Sequence, residues 1–254
     1  MSHRKLVFLC LCLAACASSS TQPTPAHPGS DAPTSVPPPP TAAAPVAHVD
    51  ASYYAGIVAS PDRSEADRQL DGGRKPAEML AFFGITPRMR VAELMAGGGY
   101  TSELLARAVG DGGMVFGQNT PLLLKRYAEQ PWSDRLKLPV MKNVQRVDRE
   151  LEDPLPSDAH ELDAVLMVLF YHDTVWMGVD RDKMNRAVFA ALKPGGVYGI
   201  IDHASRPGAG LADVETLHRI EEHIVREEIE RAGFKFVASA DFLKNPSDTY
   251  DWST

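Results

Sequence analysis

The stretch VAELMAGGGY, Val91 to Tyr100, sets a carboxylate, Glu93, shortly before three consecutive glycines, Gly97, Gly98 and Gly99. Glycines lack Cβ and let the backbone curl tightly under a ligand; a helix beginning just after them presents free N–H groups and the positive end of its dipole. Further along, FYHDT places an imidazole, His172, beside a carboxylate, Asp173, and a phenol, Tyr171, and IDH supplies a second such pair, Asp202 and His203. Gln118, Asn119, Asp148 and Glu150 are further polar groups near expected strand ends. No thiol joins them, because Cys10, Cys12 and Cys16 are the only cysteines. Beyond residue 16 the chain therefore has no internal disulfide, cysteine nucleophile or thiolate zinc site.

An alternation of strand and helix patterns positions these groups. Arg90 to Met95 is mostly apolar, the pattern of a strand buried on both faces, and GMVFGQ, NVQRVD, LDAVLMVLF, VYGIID and FKFVASADF read as further strands. Between them lie helix patterns at YTSELLARAVG, PLLLKRYAEQ and DRDKMNRAVFAAL, the last closed by a KPGG turn. Two more precede the first strand: one starts at Ser60 as cap with Pro61 in its first turn, and KPAEMLAFFG ends at Gly84. A long helix is expected from about Leu211 to Ala232, stopping at Gly233, with His218 and His223 on its surface. The order implies an α/β fold, a doubly wound, mainly parallel sheet with right-handed crossovers and a ligand site beyond the carboxyl ends of its strands.

The N-terminus is different in kind. MSHRKLVFLCLCLAAC has a basic start, a short apolar run from Leu6 to Ala15 and a cysteine after two small residues, a secretory signal too short to span a bilayer. Its LAAC ending resembles the bacterial lipobox, which implies lipidation of Cys16 and, with Ala17 following, sorting to the outer membrane facing the periplasm. Residues 17–49 are rich in Pro, Ala, Ser and Thr, a composition that cannot bury enough surface to fold, so 1–16 reads as leader, 17–49 as disordered linker and 50–254 as one domain. Membrane contact is then through the lipid. A net charge of −7 argues against nucleic acid or an anionic membrane surface as the main partner.

At the strand ends the chain resembles the class I S-adenosylmethionine-dependent methyltransferases. VAELMAGGGY looks like their first motif, and LKPGG followed by a strand like the element before their fifth strand. VLFYHDTVWMGVDRDKMNRAVFAALKPGGVY with IDHASRPG resembles a bacterial group of such sequences with a YHD signature, and the resemblance spans roughly residues 60 to 250. It implies a Rossmann-like fold, S-adenosylmethionine as cofactor and methyl transfer to a small-molecule acceptor. Glu93, Ala96, Gly97, Gly98 and Gly99 would then underlie the cofactor, Gln118 or Asn119 would meet the ribose, and Glu150 or Asp148 with Leu151 would meet the adenine. His172 would be the acceptor-side base, its tautomer held by Asp173, and Tyr171 would line the acceptor pocket.

The chain departs from the pattern in three places. Met95 replaces the first glycine, an amide stands where the second strand usually ends in an acid, and the final strand normally inserted beside strand five is missing from the C-terminus. An apolar sheet edge left open in this way invites pairing with a partner. Asp173, Asp202 and His203 also match, in position only, the magnesium site of catechol-type O-methyltransferases, although imidazole suits Mg²⁺ poorly. A noncatalytic envelope lipoprotein that keeps the fold as a binding module is the competing expectation, favoured by Met95 and Asn119.

Overall fold

The computed structural model describes residues 5–12 and 51–253; Cys16 and the 17–49 segment lie outside the described residues. The chain enters as a strand, β1 (Lys5–Cys12), and resumes with helices α1 (Ala51–Val58), α2 (Glu65–Arg74) and α3 (Pro76–Phe82). The parallel sheet follows: β2 (Arg90–Leu94), α4 (Tyr100–Val109), β3 (Met114–Asn119), α5 (Pro121–Leu123), a π-turn at Leu124–Ala128, α6 (Glu129–Leu136) and β4 (Val144–Asp148). Then come β5 (Leu162–Val168), α7 (Asp173–Trp176), α8 (Arg181–Ala191), β6 (Leu192–His203), α9 (Glu222–Arg231) and β7 (Phe234–Ser239). The described strands order as β4-β3-β2-β5-β6-β1-β7, with the first five mutually parallel.

This is the class I methyltransferase arrangement, a five-stranded parallel Rossmann-like sheet whose order reverses between β2 and β5. Apolar runs make it so. Val91, Ala92 and Leu94 of β2 and Ala164 to Met167 of β5 are buried, as central parallel strands require, and helices cover both faces in two apolar clusters.

The slot beside β6 is filled from an unexpected direction. Backbone of Lys5–Cys12 pairs antiparallel with β6, from Lys5 opposite His203 to Leu11 opposite Val197, and antiparallel with β7 on its other side. The antiparallel strand expected in that slot is thus supplied by the N-terminal apolar run that the sequence marks as a leader. Both readings use the same property, a short uninterrupted apolar run from Leu6 to Cys12.

Two helix expectations need correction. The Ser60 cap is a turn, and the helix starts one turn later, where Ser64 accepts from the Asp67 N–H. The long helix from 211 to 232 is also broken: residues 211–217 run in turns, Ala204 bridges Ile220, and only Glu222–Arg231 is helical. Buried Arg219 explains the break. Its guanidinium pairs bidentately with Asp248 at 2.8 and 3.0 Å and donates to the Ala204 carbonyl, which ties the chain to β6 where a helix would have carried it away. Glu221 accepts from the N–H groups of Gly208 and Gly210, folding the preceding loop back on itself.

Candidate active site

The loop after β2 is built from alternating left-handed residues. Met95 (φ 56°), Gly97 (φ 57°) and Gly99 (φ 84°) all occupy that region, and α4 begins directly after Gly99. Met95 thus adopts a backbone conformation that favours glycine, at a cost of about 1–2 kcal/mol for a residue with Cβ. Its side chain is buried and offsets part of that by packing in the core.

Beneath the loop lies Glu93, 3% exposed, with its carboxylate accepting from the Ser102 hydroxyl. Burial pushes its pKa up to about 7, against the opposing pull of hydrogen bonds from Ser102 and Thr101 and of the Arg74 and Arg135 charges. A cleft of about 340 Å³ opens over this floor, lined by Glu93, Met95, Ala96, Gly97, Gly98 and Arg74 among others. Arg74 was not singled out by the sequence: it ends α2, stacks its guanidinium 4.7 Å from the Tyr100 ring and forms no ion pair among the described residues. It brings a positive charge to a cleft that Asp67, Glu93 and Arg135 also line.

Further side chains that sequence reasoning missed hold the loop in place. Arg135 donates from Nε to the Gly98 carbonyl at 2.6 Å while its guanidinium pairs with Asp67 and Glu103. Trp132, fully buried, packs under Gly99 and Gly117. No local motif announces these contacts, because the residues come from helices remote in sequence.

The second-strand amides are engaged with the protein. Gln118 Oε1 accepts from the Met95 N–H at 3.0 Å and its Nε2 donates to the Arg149 carbonyl; Asn119 exchanges bonds of 2.8 and 3.1 Å with the Gly97 N–H and carbonyl. Both are fully buried, so they clip the loop to β3. In the segment expected to meet the adenine, Glu150 is exposed, whereas Leu151 is 1% exposed within the core; Asp148 is held by Arg146.

On the acceptor side, beyond β5 and β6, the expectations divide. Tyr171 does not line a pocket: it is fully buried, donates to Glu228 at 2.9 Å and accepts from Asn185, while Glu228 pairs with Arg181. The chain turns after β5, with Leu169 left-handed at φ 59°, so that Phe170 lines the cleft while Tyr171 reaches Asn185 of α8 and Glu228 of α9. Tyr171→Phe should therefore destabilise the fold by about 1–2 kcal/mol, leaving Glu228 and Asn185 short of a partner, without changing ligand affinity. Urea unfolding beside ligand titration would check both halves.

His172 is gripped from two sides. Asp202, not Asp173, meets Nδ1, at 2.6 Å, and also accepts from the backbone N–H of His172 and His203; Asp173 lies 3.1 Å from Nε2. Burial alone would lower the His172 pKa, but the Asp202 and Asp173 carboxylates together outweigh it and raise it to about 10. At neutral pH the ring is then an imidazolium already carrying the proton a general base would accept. His218 is no plain surface residue: its Nδ1 stands 3.3 Å from Asp173 and its ring 5.5 Å from that of His172. A second cleft, of about 200 Å³, reaches this cluster through Asp173 and is lined by Met95, Leu123, Phe170, Trp176 and Met177. Met95 borders both clefts. A wider depression of about 810 Å³ lies at the opposite end of α4, beside Arg107 and Gly110, away from the strand ends that carry these groups.

No family model and no curated protein matches the chain. Among solved structures it is similar to a SAM-dependent methyltransferase from Aquifex aeolicus, at 21% identity and a TM-score of 0.50, covering 66% of this chain and 86% of that one. It is also similar to the cyclase SpnF, at 16% identity and a TM-score of 0.51, covering 68% of this chain and 59% of that one. At such identities the likeness is one of fold, and the pair of neighbours shows that fold carrying two chemistries.

Proposed function

We propose that the chain binds S-adenosylmethionine over Glu93 and the 95–99 loop and transfers its methyl group to a small acceptor held in the adjoining cleft. One observation carries this reading: the left-handed Met95, Gly97 and Gly99, ending at the N-terminus of α4 above a buried carboxylate, form a cofactor-sized cleft at the point where strand order reverses. The cofactor's carboxylate would meet the free N–H groups of α4 and Arg74, and its cationic end would favour an ionised Glu93. The second cleft, across Met95, is mostly apolar and would receive the acceptor beside the cofactor.

Calorimetric titration of the purified full-length chain with S-adenosylmethionine and S-adenosylhomocysteine tests the reading. Binding of both supports it; binding of neither by a folded sample overturns it in favour of a noncatalytic module. Arg74→Ala should weaken S-adenosylmethionine about tenfold, the equivalent of about 1.4 kcal/mol, with little change in thermal stability, because Arg74 forms no ion pair among the described residues.

Envelope localisation through a lipidated Cys16 belongs to the same proposal, and it makes a structural demand. Processing at Cys16 removes Lys5–Cys12 and unpairs the facing edges of β6 and β7. A processed chain then needs another strand in that slot, from a second copy or a partner. Mass spectrometry of the N-terminus from cell envelopes decides between them: a diacylated or triacylated Cys16 supports anchoring, and an intact N-terminus supports retention of β1.

A further inference from the structure

The cluster around His172 has the build of a transition-metal centre. His172, Asp173 and His218 are a group among the described residues whose ligand atoms all lie within 4.8 Å of one another. A tetrahedral zinc ion with bonds of about 2.0–2.1 Å holds adjacent ligand atoms about 3.3 Å apart. The separations here are 3.1 Å from His172 Nε2 to Asp173 Oδ1 and 3.3 Å from His218 Nδ1 to the same oxygen. The remaining pair, one ring nitrogen each from His172 and His218, lies within the same 4.8 Å.

The surroundings fit as well. A metal-bound imidazole commonly gives its other nitrogen to a carboxylate, which fixes the ring and raises its basicity. Asp202 does this for His172 at 2.6 Å and is itself fixed by the backbone N–H groups of His172 and His203. Those bonds, with complete burial, also prevent Asp202 from acting as a ligand, so Asp173, Asp202 and His203 do not assemble into a magnesium site. Two nitrogens and one oxygen select a different ion class from an all-oxygen set.

We propose that His172, Asp173 and His218 bind a zinc-class divalent ion, with Asp202 as positioning residue and a fourth coordination position open toward the cleft of Phe170 and Trp176. Held there, the ion would take an acceptor hydroxyl or water as its fourth ligand and lower the pKa of that ligand. The role for the ion rests on the proposed methyl transfer; the site itself does not, and is measured without S-adenosylmethionine.

The test is calorimetric titration of the metal-stripped, full-length chain with Zn²⁺ and, separately, Mg²⁺, followed by the visible spectrum of the Co²⁺-loaded form. The expected result is one Zn²⁺ per chain, bound at least a thousandfold more tightly than Mg²⁺, and tetrahedral Co²⁺ absorption. His218→Ala should lower Zn²⁺ affinity at least a hundredfold while the metal-free chain keeps the far-ultraviolet spectrum of the parent protein. Asp202→Asn should weaken Zn²⁺ by 10- to 100-fold. His172→Ala is not needed, which matters because that buried residue also supports the fold. Absence of stoichiometric Zn²⁺ binding, or equal binding by His218→Ala, overturns the site. Failure of S-adenosylmethionine to bind while Zn²⁺ binds as described overturns the methyl-transfer reading alone.

Discussion

Gly99→Ala is expected to destabilise the protein by about 2–5 kcal/mol and to abolish cofactor binding in whatever fraction still folds. Two independent penalties add. The residue sits at φ 84°, where a side chain with Cβ costs about 1–2 kcal/mol. A Cβ there would also collide with the ring of Trp132 and come within 2.8 Å of Arg135 Cδ, and overpacking of this kind typically costs about 1–3 kcal/mol. Neither neighbour has room to yield, because Trp132 is fully buried and Arg135 is held by Asp67, Glu103 and the Gly98 carbonyl. Gly97→Ala is the informative control: it shares the left-handed backbone (φ 57°), but its added Cβ meets nothing within 4 Å, so only the smaller penalty applies. Urea unfolding of the two variants separates the terms. Equal losses of stability would show that the Trp132 contact does not matter.

The contrast also marks what the sequence could reveal. Val91–Gly99 was legible because a run of apolar residues and a cluster of glycines are local signals, and the same holds for β3, β5, α4 and α8. The strand-end position of His172 and Asp202 was legible for the same reason. Which carboxylate holds which nitrogen was not, since Asp202 reaches Nδ1 from 30 residues away and sequence adjacency pointed to Asp173. Tyr171 was misread because a triplet read as one site actually splits across two faces. His218 falls inside the helix expected from Leu211 to Ala232, and that helix loses to a buried tertiary ion pair, Arg219 with Asp248. The strand pairing of the N-terminal run was not legible, because a short apolar leader and a short apolar strand share the same local pattern. Arg74, Trp132 and Arg135 carry no local signal at all.

Glu93 gives the molecule a pH dependence whose direction follows from its burial. Its pKa is about 7 in the folded chain against 4.5 in the unfolded one, so between these values the folded state retains a proton that the unfolded state has lost. The stabilisation is therefore full below pH 4.5 and is lost as pH rises through 7, a fall of about 3 kcal/mol from a shift of this size. Glu93→Gln keeps an acceptor for Ser102 and removes the titration, so the variant should overtake the parent protein in stability above pH 7 and show a flatter profile from 4.5 to 8. Parallel profiles for the two chains would sink the assignment. The same proton reports on the cofactor. A sulfonium and an ammonium group placed over Glu93 favour the carboxylate, so S-adenosylmethionine binding below pH 7 should release a proton and strengthen as pH rises toward 7. Titrations at pH 6 in buffers of different ionisation enthalpy would reveal that proton, and its loss in Glu93→Gln would place the cofactor over this residue.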